Sequence, residues 1–210
     1  MDVYLATGNP HKAAELSAFF AKSGGAERVF TAAEVGGMEP VAENAASFTG
    51  NARLKAAALK SRLSLQDGVV ADDSGLEVDA LQGAPGVRSA RYAGLSATDS
   101  DNVAKLLNEL KGVPLGLRSA RFVCCLVLLA PEGEFTFTGV CCGMIATTAA
   151  GHNGFGYDPV FIPKGYKETL SQLGPGVKAH ISHRAHAFRQ LAQWLREKAD
   201  RYPSRVGRTA

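Results

Sequence analysis

Two long β-rich segments constrain the fold of this chain more than any other feature of its sequence. Residues 118–130 and 135–146 are dominated by valine, leucine, phenylalanine, threonine and cysteine, and only Pro131-Glu132-Gly133-Glu134 separates them. A short turn-forming link between two such runs predicts an antiparallel hairpin. The chain is therefore expected to contain a long hairpin within its sheet.

The residues before this hairpin alternate between strand and helix patterns. Short strands are predicted over residues 3–6, 28–31 and 69–71. One helix is expected to start at Asn9-Pro10, with Asn9 as its cap, and to end at Gly24-Gly25, and a second is expected over 47–63. Strands that alternate with helices and are followed by a hairpin imply an α/β fold with a mixed sheet. In such sheets functional sites collect at the carboxyl ends of strands.

Three further boundaries follow from local patterns. Asp72-Asp73-Ser74-Gly75 is expected to interrupt the third strand, with a short helix over residues 76–81 after it. Ser96 with Asp99 predicts a capping box for a helix that runs through Leu110. A last helix is expected to begin near Ser182.

The net charge of +3 belongs to the C-terminal segment. Residues 1–195 contain 18 Lys and Arg and 18 Asp and Glu, whereas five cations and two anions follow. Because a sequence-independent nucleic-acid binder needs a basic face on its fold, no nucleic-acid partner is expected. The sequence predicts a single domain over residues 1–196 and a basic tail over 197–210.

The compartment follows from what the sequence lacks. No apolar run is long enough to cross a bilayer, and the start of the chain has no basic leader region, so we expect a cytoplasmic protein without a membrane partner. The adjacent pairs Cys124-Cys125 and Cys141-Cys142 do not have the C-x-x-C spacing of a zinc site. Buried, reduced thiols are therefore expected.

The first strand-to-helix turn has the features of a phosphate site. Its residues are Thr7, Gly8, Asn9, Pro10, His11 and Lys12. Helix starts leave N–H groups unpaired and carry partial positive charge, to which Lys12 would add a full charge. The Walker A and G-x-G-x-x-G patterns are absent, and an ordinary strand-to-helix turn is the alternative interpretation.

The adjacent carboxylates Asp72 and Asp73 indicate a divalent cation, because two neighbouring negative charges repel and Mg²⁺ prefers oxygen ligands. The two should have different roles: one would bind metal and position water, while the other would bind metal through water or cap a helix. A plain double N-cap is the alternative. Glu43, or Glu39 in the same loop, could supply another metal oxygen, and Lys55 could face a phosphate or solvent.

The string Gly154-Phe155-Gly156-Tyr157-Asp158-Pro159 suggests a binding site for a flat ligand. Glycines on both sides of Phe155 let the backbone approach such a ligand, and Phe155 could stack on a base. The proline after Asp158 is expected to leave that carboxylate free. A core aromatic in a β-turn is the alternative.

The start of the last helix combines Lys178 with Ser182-His183-Arg184. Three potential cations at a helix start oppose the helix dipole, and an anionic or carbonyl-rich ligand would resolve the conflict.

Taken together, these strings resemble the inosine/xanthosine triphosphate pyrophosphatase family. The resemblance covers residues 3–195 and rests on five strings in the family's order: Thr7-Gly8-Asn9 with Lys12, residues 48–55 (FTGNARLK), residues 71–94 (ADDSGLEVDALQGAPGVRSARYAG), residues 154–161 (GFGYDPVF), and Lys178 with Ser182-His183-Arg184. It implies an elongated, two-lobed α/β fold around a long mixed sheet, with an active-site cleft between the lobes and usually a homodimer. It also implies Mg²⁺-dependent cleavage of ITP, dITP or XTP to the monophosphate and pyrophosphate.

The resemblance further implies the role of each residue. Residues 7–12 would hold the triphosphate, Asp73 would activate water and bind magnesium with Glu43, and Ser74 would touch the substrate. Phe155, Gly156, Tyr157 and Asp158 would frame base and sugar, and Lys178, His183 and Arg184 would contact the nucleotide.

The sequence departs from the family's pattern at three places. Gly50 stands where a glutamate is frequent, and the upstream acidic loop retains only Glu43. The stretch Leu173-Gly174-Pro175-Gly176 lacks the usual acidic residues, which predicts a mobile loop.

A function from another class, a non-catalytic nucleotide or RNA binder that uses Phe155, is the alternative hypothesis.

Overall fold

The computed structural model describes residues 1–23 and 28–201. The strands are β1 (Val3–Leu5), β2 (Val29–Thr31), β3 (Gly68–Val78), β4 (Ser119–Ala130), β5 (Gly133–Ile145) and β6 (Phe161–Pro163). The α-helices are α1 (Pro10–Ser23), α2 (Phe48–Lys60), α3 (Asp99–Glu109), α4 (Leu170–Ile181) and α5 (His183–Arg201), and short 3₁₀ segments include Asp79–Leu81 and Gly86–Arg91. Among the described residues no helix is both long and apolar enough to span a bilayer.

The strands form one mixed sheet in the order β2-β1-β3-β4-β5-β6. Strand β1 pairs in parallel with β2 and β3, whereas the pairs β3–β4, β4–β5 and β5–β6 are antiparallel. The predicted α/β class and the long hairpin are confirmed, with β4 and β5 paired from Ala130–Gly133 to Ser119–Met144.

Helices cover both faces of the sheet, and side-chain alternation in β3 decides which face each residue joins. Val70 packs with residues of α1 and α5, including Leu16 and Leu191. Its neighbours Val69 and Ala71 pack instead with α2. A further cluster lies at the far end of β3, β4 and β5, where Leu76 and Phe122 pack with residues of α3 and α4.

Strand β3 continues without interruption through the two aspartates, so the predicted break at residues 72–75 is wrong. The predicted helix over 76–81 is also wrong: Leu76 to Val78 remain in the strand, and only Asp79–Leu81 forms a 3₁₀ turn. Ten consecutive pairs with β4, from Val69 to Val78, hold these residues extended and override the local signal of the carboxylates.

Two helix predictions also need correction. The cap of α3 is Thr98, whose hydroxyl accepts from the Asp101 N–H, so the predicted Ser96–Asp99 box is wrong. Residues 173–176, predicted as a loop, belong to α4, whose helical backbone is interrupted at Gly174 (φ 76°), and their predicted mobility stays a prediction.

Other predictions hold more closely. Asn9 caps α1, and Ser182 directly precedes α5. Cys124, Cys125 and Cys141 are buried free thiols, but Cys142 is exposed because it points to the other side of β5. The predicted end of the first helix at Gly24-Gly25 lies outside the described residues, and so do residues 202–210 of the predicted tail. Helix α5 continues to Arg201.

Helix α5 approaches the sheet at Gly139 of β5. A Cβ atom at this position would lie 2.0 Å from the carbonyl oxygen of His183 and 2.4 Å from the backbone nitrogen of Ala187. Only glycine fits such a backbone contact. The first turn of α5, which carries His183 and Arg184, is thereby held against the sheet.

Candidate active site

A cleft of about 460 Å³ opens beside β3, at the point where the shorter strand β1 ends. On β3, strand β1 pairs with Gly68 to Val70, and β3 continues beyond this pairing. Further along, the 3₁₀ segment Gly86–Arg91 lies against β3, with the Leu76 N–H donating to Ser89 Oγ at 2.9 Å. The two aspartates lie between these neighbours.

Most of the residues singled out in the sequence meet in this cleft. Those that line it are Thr7, Gly8, Asn9, Lys12, Glu43, Lys55, Asp73, Ser74, Phe155, Gly156, Tyr157, Asp158, Lys178, His183 and Arg184. Pro10 and His11 do not belong to its lining. Pro10 starts α1, and the His11 ring stacks on Phe155 at a centroid distance of 5.1 Å.

The first turn is arranged around Asn9. Its side-chain oxygen accepts from the N–H groups of His11 (2.9 Å) and Lys12 (3.2 Å), and its own N–H donates to Thr7 Oγ1. Because Pro10 has no N–H, only Asn9, His11 and Lys12 contribute N–H groups at the helix start, and all three have partners within this turn. The prediction that these groups are unpaired is therefore wrong. The Lys12 ammonium supplies the full positive charge at this end of the cleft.

Asp72 points to the face of α1 and α5, where it forms a buried ionic cluster. Its carboxylate lies 3.0 Å from Lys12 Nζ and 3.4 Å from Arg184 Nε, and it accepts from Ser74 Oγ at 3.0 Å. Burial alone would raise the pKa of Asp72, but Lys12 and Arg184 hold it well below its ordinary value. Asp72 is thus an anion that ties α1 to α5. The alternative that these aspartates cap a helix is wrong, because both lie within β3.

Asp73 points to the opposite face, toward α2. It accepts from Lys55 Nζ at 3.0 Å and from Asn51 Nδ2 at 3.2 Å, and Lys55 lies 3.5 Å from Glu43 Oε2. Burial raises the pKa of Asp73 and outweighs the opposing effect of Lys55. Burial also opposes the charge on Lys55, but Asp73, Asp72 and Glu43 together raise its pKa. A carboxylate with a raised pKa beside a permanent cation can accept a proton from water.

The turn at residues 154–158 is organised by Asp158. This carboxylate is buried and accepts from the Phe155 N–H (3.0 Å) and from Lys178 Nζ (2.7 Å), so the prediction that it is free is wrong. Gly154 has φ +83°, and a Cβ there would lie 2.1 Å from Asp158 Oδ2. The ammonium of Lys178 lies 4.2 Å from the centroid of the Phe155 ring.

His183 is a neutral, buried imidazole, because burial and the neighbouring Arg184 and Lys178 keep its pKa well below the ordinary value. Its ring stacks on Phe122 at 4.8 Å, and its Nδ1 has no hydrogen-bond partner among residues 1–23 and 28–201. Of the three potential cations predicted at the start of α5, only Lys178 and Arg184 therefore carry a positive charge. Lys178 and Arg184 share Glu15, which lies 3.7 Å from the first and 3.3 Å from the second.

Several cleft residues escaped the sequence reasoning: Gly75, Val87, Ser89, Ala90, Arg91, Asp99 and Phe122. Arg91 donates to the backbone oxygen of Glu43 at 2.9 Å, and Asp99 accepts from the Gly156 N–H at 2.6 Å. Arg91 lies inside the string that carries the family resemblance, which was its only signal. Asp99 starts a helix, and nothing local distinguishes it from a residue of an ordinary first turn.

The donor set suits magnesium. Within residues 1–23 and 28–201, no three His, Cys, Asp or Glu side chains converge as a metal cage. Asp73 and Glu43 do converge on one ammonium. Because Mg²⁺ is usually bound by one or two carboxylates together with substrate phosphates and water, this pair fits it.

Comparison with known proteins shows the family to which the chain belongs. The model of the Ham1 family matches residues 3–194. The chain belongs to the Ham1 family. It is 47% identical over 201 residues to a dITP/XTP pyrophosphatase of Opitutus terrae. The alignment covers 93% of this chain and 99% of that protein. The corresponding protein of Oceanobacillus iheyensis is 44% identical over 194 residues, covering 92% of this chain and 97% of its own length.

Solved structures of the family share the fold. The Ham1 protein of Staphylococcus aureus superimposes with a TM-score of 0.83 at 37% identity, covering 94% of this chain and all of that chain. The HAM1 protein of Coxiella burnetii superimposes with a TM-score of 0.84 at 35% sequence identity, and the match covers 94% of this chain and 99% of that chain. The family resemblance inferred from the five strings is thus confirmed.

Proposed function

We propose that this protein hydrolyses deaminated purine nucleoside triphosphates (ITP, dITP and XTP) to the monophosphate and pyrophosphate with Mg²⁺. The observation that carries the proposal is the division of the two aspartates. Asp72 is neutralised by Lys12 and Arg184, which leaves Asp73 as the carboxylate that faces Glu43 across the cleft. Full-length relatives named dITP/XTP pyrophosphatase support the reaction.

In the proposed reaction water attacks the α-phosphorus and the bond from that phosphorus to the bridging oxygen breaks. Asp73 takes the proton of the attacking water, and its raised pKa suits that task. Lys12 and Lys55 neutralise the pyrophosphate that leaves. Bound to Asp73 and Glu43, Mg²⁺ would polarise the phosphoryl oxygens and lower the pKa of a coordinated water.

Base recognition is proposed for the part of the cleft that His183 and Arg184 line. Arg184 donates only, whereas neutral His183 has one donor and one acceptor nitrogen. A 6-oxo group can accept from Arg184, but a 6-amino group leaves that donor unpaired, which costs about 1–3 kcal/mol. This difference favours hypoxanthine and xanthine over adenine.

Product analysis tests the proposal. Incubation with ITP and Mg²⁺ is expected to release IMP and pyrophosphate, and IDP with orthophosphate would refute the assigned bond. Asp73→Asn is expected to abolish turnover without unfolding the protein. Asp79→Asn is the matched control. The exposed Asp79 carboxylate accepts from the Ser119 hydroxyl outside the cleft, so its replacement should leave turnover unchanged.

The remaining assignments are also proposals. From the family resemblance we infer a homodimer, which light scattering coupled to gel filtration can test. From length, composition and charge we infer a cytoplasmic protein with one domain over residues 1–196 and no nucleic-acid partner. The alternative of a non-catalytic binder has no support from the relatives, which are named as pyrophosphatases. Binding of ITP without turnover in any divalent ion would revive it.

A further inference from the structure

Lys55 occupies an unusual position between the two candidate metal ligands. Its ammonium lies 3.0 Å from Asp73 Oδ1 and 3.5 Å from Glu43 Oε2. The Lys55 side chain is only 11% exposed, and that of Asp73 only 9%. The same lysine therefore serves as counter-ion to both carboxylates at once.

Asn51 fixes the orientation in which Asp73 meets this cation. Its Nδ2 donates to Asp73 Oδ2 at 3.2 Å, while its Oδ1 accepts from the Ala45 N–H at 3.0 Å. Asn51 is completely buried. With Oδ2 engaged, the oxygen that Asp73 turns toward Glu43 is the one already bound to Lys55.

A metal ion that uses this pair must compete with Lys55 for the same two oxygens. Mg²⁺ binds oxygen at about 2.0–2.1 Å, and two cations so close in a half-buried site repel strongly. An ammonium has three donors, so Lys55 can move to phosphate oxygens when these enter the cleft. The triphosphate would draw the ammonium away and bring negative charge for the metal.

We propose that Lys55 is a resident counter-ion that excludes free divalent cations from Asp73 and Glu43 until a triphosphate draws its ammonium away. This inference deepens the proposed function and rests on it for the identity of the nucleotide. It makes Lys55 a positioning residue that sets the order of binding, with the metal entering together with the nucleotide.

The experiment measures Mn²⁺ binding to the nucleotide-free protein by electron paramagnetic resonance, at about pH 8 for every variant. Lys55→Met removes the charge and keeps much of the side-chain volume. It is expected to bind one Mn²⁺ at least about tenfold more tightly than the wild type, within the usual range of coupling between sites. The double variant Lys55→Met/Glu43→Gln should lose this gain, because the site then has one carboxylate.

Lys60→Met is the matched control. Lys60 lies on the same helix, but its ammonium donates to the backbone oxygens of Ser64, Leu65 and Asp67, away from the cleft. Its replacement should leave Mn²⁺ affinity at the wild-type value. Lys55→Gln provides a second test if Lys55→Met does not fold, as judged by circular dichroism.

Two results would overturn the inference: equal Mn²⁺ affinity in the wild type and both Lys55 variants, or the same gain in Lys60→Met. Failure of the proposed function is a separate result. It would appear as wild-type protein that releases no pyrophosphate from ITP, whatever the Mn²⁺ measurements give.

Discussion

The substitution Asp72→Asn tests the idea that the first of the two aspartates stabilises the fold. Asp72 is 1% exposed and is the common partner of Lys12 on α1 and Arg184 on α5. An asparagine of nearly equal size removes the negative charge and leaves two cations in a poorly hydrated site. Breaking a buried ion pair by removing one partner costs about 3–5 kcal/mol.

We take the lower limit, about 3 kcal/mol, because the Lys12 side chain is 15% exposed and water can solvate it in part. For a domain of this size each kcal/mol lowers the melting temperature by about 2–4 °C, so a decrease of about 6–12 °C is expected. The pKa of Asp72 is lowered in the folded state, so its stabilisation is complete above the ordinary carboxyl pKa and declines as the pH falls below it. The difference between wild type and variant should narrow by up to about 1.4 kcal/mol for each pH unit below that value.

Urea unfolding at neutral pH and at a series of acidic pH values measures both quantities. Glu134→Gln is the comparison, because its partner Arg53 lies 2.6 Å away but is 53% exposed, and such surface pairs contribute less than about 1 kcal/mol. If Asp72→Asn lost no more stability than Glu134→Gln, or if its deficit did not change with pH, Asp72 would not be the buried anion that joins α1 to α5.

Two further predictions concern α5. Gly139→Ala would place a methyl group 2.0 Å from the His183 carbonyl oxygen, so α5 must shift. We expect the free energy of unfolding in urea to fall by at least about 2 kcal/mol and ITP turnover to decrease, whereas a variant as stable as wild type would contradict the close packing. Because the pKa of His183 is lowered on folding by burial, Arg184 and Lys178, unfolding takes up a proton below the ordinary histidine pKa, and stability should fall there by up to about 1.4 kcal/mol per pH unit. His183→Gln should flatten this part of the profile in unfolding measured across pH 5–8, whereas an unchanged slope would show that His183 is not buried neutral.

Much of the fold could be predicted because its signals are local. Asn9 followed by Pro10 specifies a helix start whatever surrounds it, since the cap needs only the next few N–H groups. The long hairpin is specified by residue type and by a short turn. Residues 72–78 could not be predicted in this way, because their conformation is set by pairing with β4. This pairing keeps them extended, although the local sequence predicts a break at 72–75 and a helix from 76.

For the site, the sequence by itself determined which residue types are present and, through the ordered strings, the family to which they belong. Only the tertiary structure decided the division of labour between Asp72 and Asp73. Their opposite directions follow from strand alternation, but the cations that meet them come from α1, α2 and α5, which are far apart in the chain. Because charges are neutralised by neighbours in space and not in sequence, two adjacent aspartates come to differ. Asp72 is a buried structural anion, and Asp73 is the carboxylate that faces the cleft.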